Sequence, residues 1–195
     1  ALLGRTWACA NGSVMVIGKL AIDTGYEAAA VYAWARKQGF EQVAPIKGLE
    51  GFNRATPVSG PTFVDATIGG KRLRRGARLW SGATATFKTE SYRFLRQERP
   101  SDEACASGVL DAPGTVHLPD WIDTEWLKQL VAEQLVTVRN KRGYAHPEWQ
   151  KMRERNEALD ARVYARAAAW IMGADRWDEA TWRRLEAQAG VETRS

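Results

Sequence analysis

Two periods of hydrophobic and polar positions alternate along this chain. Residues 13–23, SVMVIGKLAID, form a β-branched apolar run interrupted by Gly18, which predicts a strand ending at Asp23. Thr24 and Gly25 make a turn. YEAAAVYAWARKQG then takes up helical spacing, with Ala29, Val31, Tyr32 and Ala35 on its apolar face and Gly39 as its stop. EQVAPIKG predicts a second short strand ending at Lys47. Strand, helix and strand within about 30 residues is the spacing of a parallel βαβ unit.

Residues 49–86 change character: the Gly-rich turns SGPT, TIGGKRL and SGAT separate the β-prone runs PTFVDATI and ARLWSG. A β-rich hairpin excursion is expected here, after a flexible loop over 48–57. Helical spacing returns in KTESYRFLRQE, followed by a polar loop over 100–114 and a short strand TVHLP. DTEWLKQLVAEQL reads as an amphipathic helix capped by Asp123 or Thr124. VTVRNKRGYAHPEW reads as strand and loop, 155–172 as a long helix, and DEATWRRLEAQAG as a short terminal helix. The alternation predicts an α/β fold with a mixed sheet, one domain over 1–173 and a helical tail over 174–195.

Composition narrows the function classes. At 195 residues with 45% hydrophobic positions, the chain has room for a true core. The net charge of +5 fits a polyanionic partner. Cys9, Cys105, His117 and His146 make neither a disulfide framework nor a zinc spacing, and His146 reads as a loop histidine. No run reaches the roughly 18 apolar residues of a membrane span. The opening residues lack both Met and the order of a signal peptide, so they read as a chain entered partway through, with the cytoplasm as the expected compartment. Nine tryptophans are unusual. Trp126, Trp170 and Trp182 fall within helical patterns and are expected to serve packing rather than base stacking.

Candidate chemistry centres on two carboxylates. Asp23 ends a strand before a Gly turn and a helix, where α/β sheets place ligands; the competing reading is a helix cap. Asp160 sits beside the stripe Leu159, Val163, Ala167 and Trp170, with Asn156 and Tyr164 on its own face. Its competing reading is a surface ion pair with Arg155 or Arg162. If the long helix aims Asp160 at the end of the strand carrying Asp23, the carboxylates would need a divalent cation, Mg²⁺ or Mn²⁺. Two such ions about 4 Å apart suit phosphodiester cleavage. Lys71, Arg72, Arg74, Arg75 and Arg78 suit a DNA backbone, or equally a charged edge strand guarded against aggregation. Lys47 is placed to reach a phosphate, or is simply exposed.

Four passages in this order, AIDTGYEAAAVYAWAR, PIKG, VHLPDWIDTEWLKQLVAE and WQKMRERNEALDARVYARAAA, resemble the nuclease half of the GpA-type large terminase subunit of lambda-like tailed phages. The resemblance implies an RNase H-like fold and a metal-dependent endonuclease acting on concatemeric double-stranded DNA. Terminase small subunit and portal protein are the implied partners. Asp23 matches the family's second acidic position and Asp160 its third. Lys47 matches the Lys-Gly step, and Glu157, one helical turn from Asp160, is a further candidate ligand. Arg155 joins the basic residues expected to position DNA. The family's first acid lies on an upstream strand, whereas residues 1–22 contain no Asp or Glu. No phosphate-binding G-x-x-x-x-G-K-[ST] motif occurs either. A fragment of a longer subunit is therefore expected, with a non-catalytic module that binds DNA or docks on the portal as the alternative.

Overall fold

The computed structural model describes residues 2–9 and 11–190. In chain order the strands and α-helices are β1 (Thr6–Ala8), β2 (Val14–Val16), β3 (Leu20–Asp23), α1 (Ala28–Gln38), β4 (Val43–Leu49), β5 (Val58–Ile68), β6 (Lys71–Ala83), α2 (Thr84–Leu95), α3 (Asp102–Ala106), α4 (Thr124–Leu130), β7 (Glu133–Arg139), β8 (Ala145–Lys151), α5 (Glu157–Met172) and α6 (Glu179–Gln188). They fall into two compact units, and the division lies within α5. The first takes Ala1–Gly48, Val58–Gly82 and Tyr164–Ser195; the second takes Leu49–Pro57 and Ala83–Val163.

The first unit is built on a four-stranded sheet in the order β3-β4-β6-β5. β3 and β4 run parallel, with Asp23 beside Ile46, and β5 and β6 run antiparallel. The mixed α/β sheet expected from the sequence is therefore present. The hairpin 58–83, however, is no excursion from it: its two strands are half of the sheet. Val43, Ala44 and Ile46 bury almost completely, because β4 is an interior strand. Ala-rich α1, a good helix former, ends at Gly39, whose φ of 91° continues the chain where a side chain would be strained. The run 13–23 divides in two: Val14–Val16 pairs with Thr6–Ala8 in a separate ribbon, and only Leu20–Asp23 enters the main sheet.

The second unit buries Phe87, Leu130, Leu159 and Val163. Its helix α4 stops at Leu130, five residues short of the predicted run, because Glu133 to Leu135 already pair with β8. Residues 133–151 form an antiparallel hairpin rather than strand and loop, and His146 lies in its second strand. TVHLP is not a strand, and the polar stretch 100–114 contains α3, capped by the Ser101 hydroxyl. No tryptophan is fully buried; Trp182 is 44% exposed, in keeping with a side chain too large to enclose easily. Among the described residues no helix is long and apolar enough to cross a membrane.

Candidate functional site

Asp23 closes β3 and presents an exposed carboxylate. The next residue anchors it. Both the backbone N–H and the hydroxyl of buried Thr24 donate to the Ile46 carbonyl, at 2.9 and 3.1 Å, tying the strand end to β4. Gly25 then leaves space for the acid, since a Cβ there would lie 2.9 Å from Asp23 Oδ2. The Tyr164 hydroxyl, from α5, donates to Asp23 Oδ1 at 3.0 Å. Asp23 does not cap α1, whose N-cap position is Glu27, in the left-handed region at φ 49°. The sequence reading did not assign Tyr164 to Asp23, although its position four residues after Asp160 was a usable signal.

Lys47 lies inside β4 rather than at its end, and it is exposed. The pleat turns it to the sheet face opposite Ile46, the residue in register with Asp23, so pairing does not bring Lys47 alongside the acid.

In the second unit, Asp160 is half-buried in the first turns of α5, and its N–H donates to the Asn156 carbonyl at 3.1 Å. Glu157 is exposed and pairs with Arg155 at 3.4 Å. Its carboxyl is held below the usual glutamate range, first by a backbone N–H of its own residue and then by Arg155. Asn156 donates its side-chain amide to buried Glu133 at 2.9 Å, and Lys88 donates to the other Glu133 oxygen at 2.6 Å. Sequence reasoning missed this network because Glu133 reads as a helix-surface position.

The basic residues of β6 are shaped by a bulge. Asp65 stands opposite residues 74–76, which have no partner of their own in β5. Its carboxylate accepts from the Arg75 N–H at 3.0 Å and from Arg72 at 2.8 and 3.1 Å, and these bonds lower its pKa, the Arg75 bond first. Arg36 of α1 donates to the Gly76 carbonyl at 3.0 Å. A Cβ at Gly76 would lie 3.0 Å from the Leu73 carbonyl oxygen, a tight fit that a larger residue could meet only by shifting the bulge. Arg75 lies over the Phe63 ring at 5.1 Å, while Arg78 lies over Phe40 at 5.0 Å and Phe63 at 5.6 Å. Lys71 and Arg74 remain exposed beside them. Five cations in one strand are thus spread over three environments.

As a donor for an oxygen-seeking cation Asp23 is well suited: it is exposed, oriented by one phenol, and cleared by Gly25. Mg²⁺ is commonly held by one or two carboxylates, with its other positions left to water and phosphate. Among the described residues there is no group of three or more His, Cys, Asp or Glu that could hold a metal.

The family described as the endonuclease domain of the terminase large subunit gpA matches residues 1–182. The chain is 32% identical over 179 residues to the terminase large subunit of Escherichia phage lambda, covering 90% of this chain and 25% of that protein. It is 31% identical over 179 residues to the terminase large subunit of Enterobacteria phage P21, covering 91% and 26% respectively. It spans about a quarter of the length of these curated relatives. No solved structure matches.

Proposed function

Because the chain belongs to the endonuclease-domain family of the gpA-type terminase large subunit, we propose that it supplies the DNA-cleaving site of a packaging enzyme on an RNase H-like fold. The reaction adds water across a phosphodiester bond of concatemeric double-stranded DNA. Asp23 and Asp160 are the proposed ligands of Mg²⁺ or Mn²⁺, in a two-metal arrangement, with Glu157 as an auxiliary acid. When bound, the ions would supply charge neutralisation at the phosphate and acidify a water. Tyr164 holds the Asp23 carboxylate in one orientation, and Thr24 holds the strand end beneath it. Lys71, Arg72, Arg74, Arg75, Arg78 and Arg155 are proposed to position the DNA backbone, with Lys47 as a further phosphate contact. Terminase small subunit and portal protein are the proposed partners, in the bacterial host cytoplasm.

The observation that supports this reading most directly is the Tyr164–Asp23 hydrogen bond. It holds the acid at the end of β3 in one orientation from a residue of the same unit. Plasmid nicking with Mn²⁺ tests it: activity in the native chain should vanish in both Asp23→Asn and Asp160→Asn. Equal nicking by all three proteins would refute the assignment.

The lack of a three-carboxylate group among the described residues favours a second reading, a catalytically incomplete module that binds DNA or docks on the portal. Metal-independent, salt-sensitive DNA binding without nicking would support it.

A further inference from the structure

The hairpin β7–β8 carries a feature that the cleavage chemistry does not use. Its tip, residues 139–144, reads RNKRGY and contains no acid. The turn is tightly organised. Asn140 Oδ1 accepts from the N–H groups of Arg142 and Tyr144, at 2.9 and 3.1 Å. The Asn140 N–H donates to the Tyr144 carbonyl and the Gly143 N–H donates to the Asn140 carbonyl, both at 2.9 Å. Gly143 adopts a φ of 84°, which closes the turn, and Arg139 donates to its carbonyl at 2.9 Å. Lys141 and Arg142 are left at the apex, exposed, with no acidic partner among the described residues. Tyr144, 69% exposed, stands beside them.

We propose that this tip is a second DNA-contacting element, with Lys141, Arg142 and Tyr144 holding the phosphate backbone of duplex DNA. The inference rests on the reading of the chain as a DNA-acting domain. Three arguments carry it. A two-stranded ribbon has dimensions that a duplex major groove admits. The apex concentrates positive charge without a neutralising acid, which suits phosphates spaced along a strand. Its one exposed aromatic is a tyrosine, whose hydroxyl can donate to phosphate, whereas a protein-binding surface would need a larger apolar centre. The asparagine-braced turn fixes the backbone that carries the two cations, so little backbone ordering entropy is lost on binding.

The test uses the full chain, a fluorescein-labelled duplex and no divalent metal, with anisotropy recorded across a salt series. Replacing Lys141 and Arg142 together by Gln should weaken binding at least tenfold near 100 mM salt. It should also flatten the salt slope by about 0.9 for each phosphate that is no longer neutralised. Asn140→Ala, which keeps both charges but loosens the turn, should weaken binding by a smaller factor. The thermal melt of the double variant should match the native chain, because the replaced side chains are exposed. If the native chain binds duplex and the double variant binds equally with the same slope, the tip is not a DNA contact, and an acidic protein surface becomes its better partner. If the native chain fails to bind duplex at all, the DNA-acting reading fails with it.

Discussion

Replacing Glu133 by Ala removes the centre of the network at the base of α5. The carboxylate side chain is 6% exposed and takes Lys88, itself 14% exposed, at 2.6 Å and Asn156 at 2.9 Å. Its backbone N–H donates to Tyr92 Oη at 3.1 Å, and Tyr92 returns its proton to the Glu133 carbonyl. Burial raises the Tyr92 pKa further above neutral, so the phenol stays protonated and a donor. Without the carboxylate, the Lys88 ammonium stays enclosed with no counter-charge, a situation that costs about 3–5 kcal/mol in buried pairs. We expect the lower end, since Lys88 retains some exposure to water. Against a typical total of about 5–15 kcal/mol this is a large loss. Urea unfolding, followed by tryptophan fluorescence and circular dichroism together, should show the midpoint falling by more than about 1 M. The paired substitution Lys88→Met with Glu133→Leu should recover at least half of the loss, because it removes both charges and keeps the volume. A Glu133→Ala cost under about 1 kcal/mol, or no recovery in the double variant, would refute the argument from buried charge.

Tyr164→Phe removes the phenol that orients Asp23; nicking should fall roughly tenfold, as for partners that orient metal ligands, with stability changed by no more than about 0.5 kcal/mol. An unchanged rate would show that Asp23 needs no such support. Gly25→Ala places a Cβ 2.9 Å from Asp23 Oδ2; the carboxylate can swing away, so the fold should hold while calorimetry shows Mn²⁺ binding weakened about tenfold. Undiminished Mn²⁺ affinity would remove Asp23 from the ligand set. For Asp65, the folded-state pKa lies below the ordinary 3.8. Its stabilisation of the bulge is therefore full above the unfolded value and lost as pH falls through the folded one. Carboxyl ¹³C titration should place its midpoint below 3.8, and a midpoint at or above that value would mean that Asp65 does not hold Arg75 and Arg72 through these hydrogen bonds.

The legible parts of the molecule were those decided by local pattern. The strand ending at Asp23, the Gly39 stop of α1 and the span of α5 all follow from runs, caps and spacing within a few residues. The misreadings share a cause. VAEQL has good helix formers, yet Glu133 leaves the helix because its ladder partner Lys151 and its polar partners Lys88 and Asn156 lie far along the chain. The hairpin 58–83 read as an excursion because its turns are Gly-rich; pairing of β6 with β4, invisible to pattern, makes it half the sheet.

The sequence by itself determined which residue types were on offer: an acid before Thr-Gly, an acid offset from a helix stripe, and a basic β-run, in an order that identifies the family. Tertiary structure alone decided their surroundings. It brought Tyr164 to Asp23 across 141 residues of chain, set Asp65 against the bulge at 74–76, and enclosed Glu133 with Lys88. Periodicity constrains only neighbours within a turn or a strand. Contacts between distant segments are selected by burial and by the cost of leaving a polar group unpaired, which act only once the chain has folded.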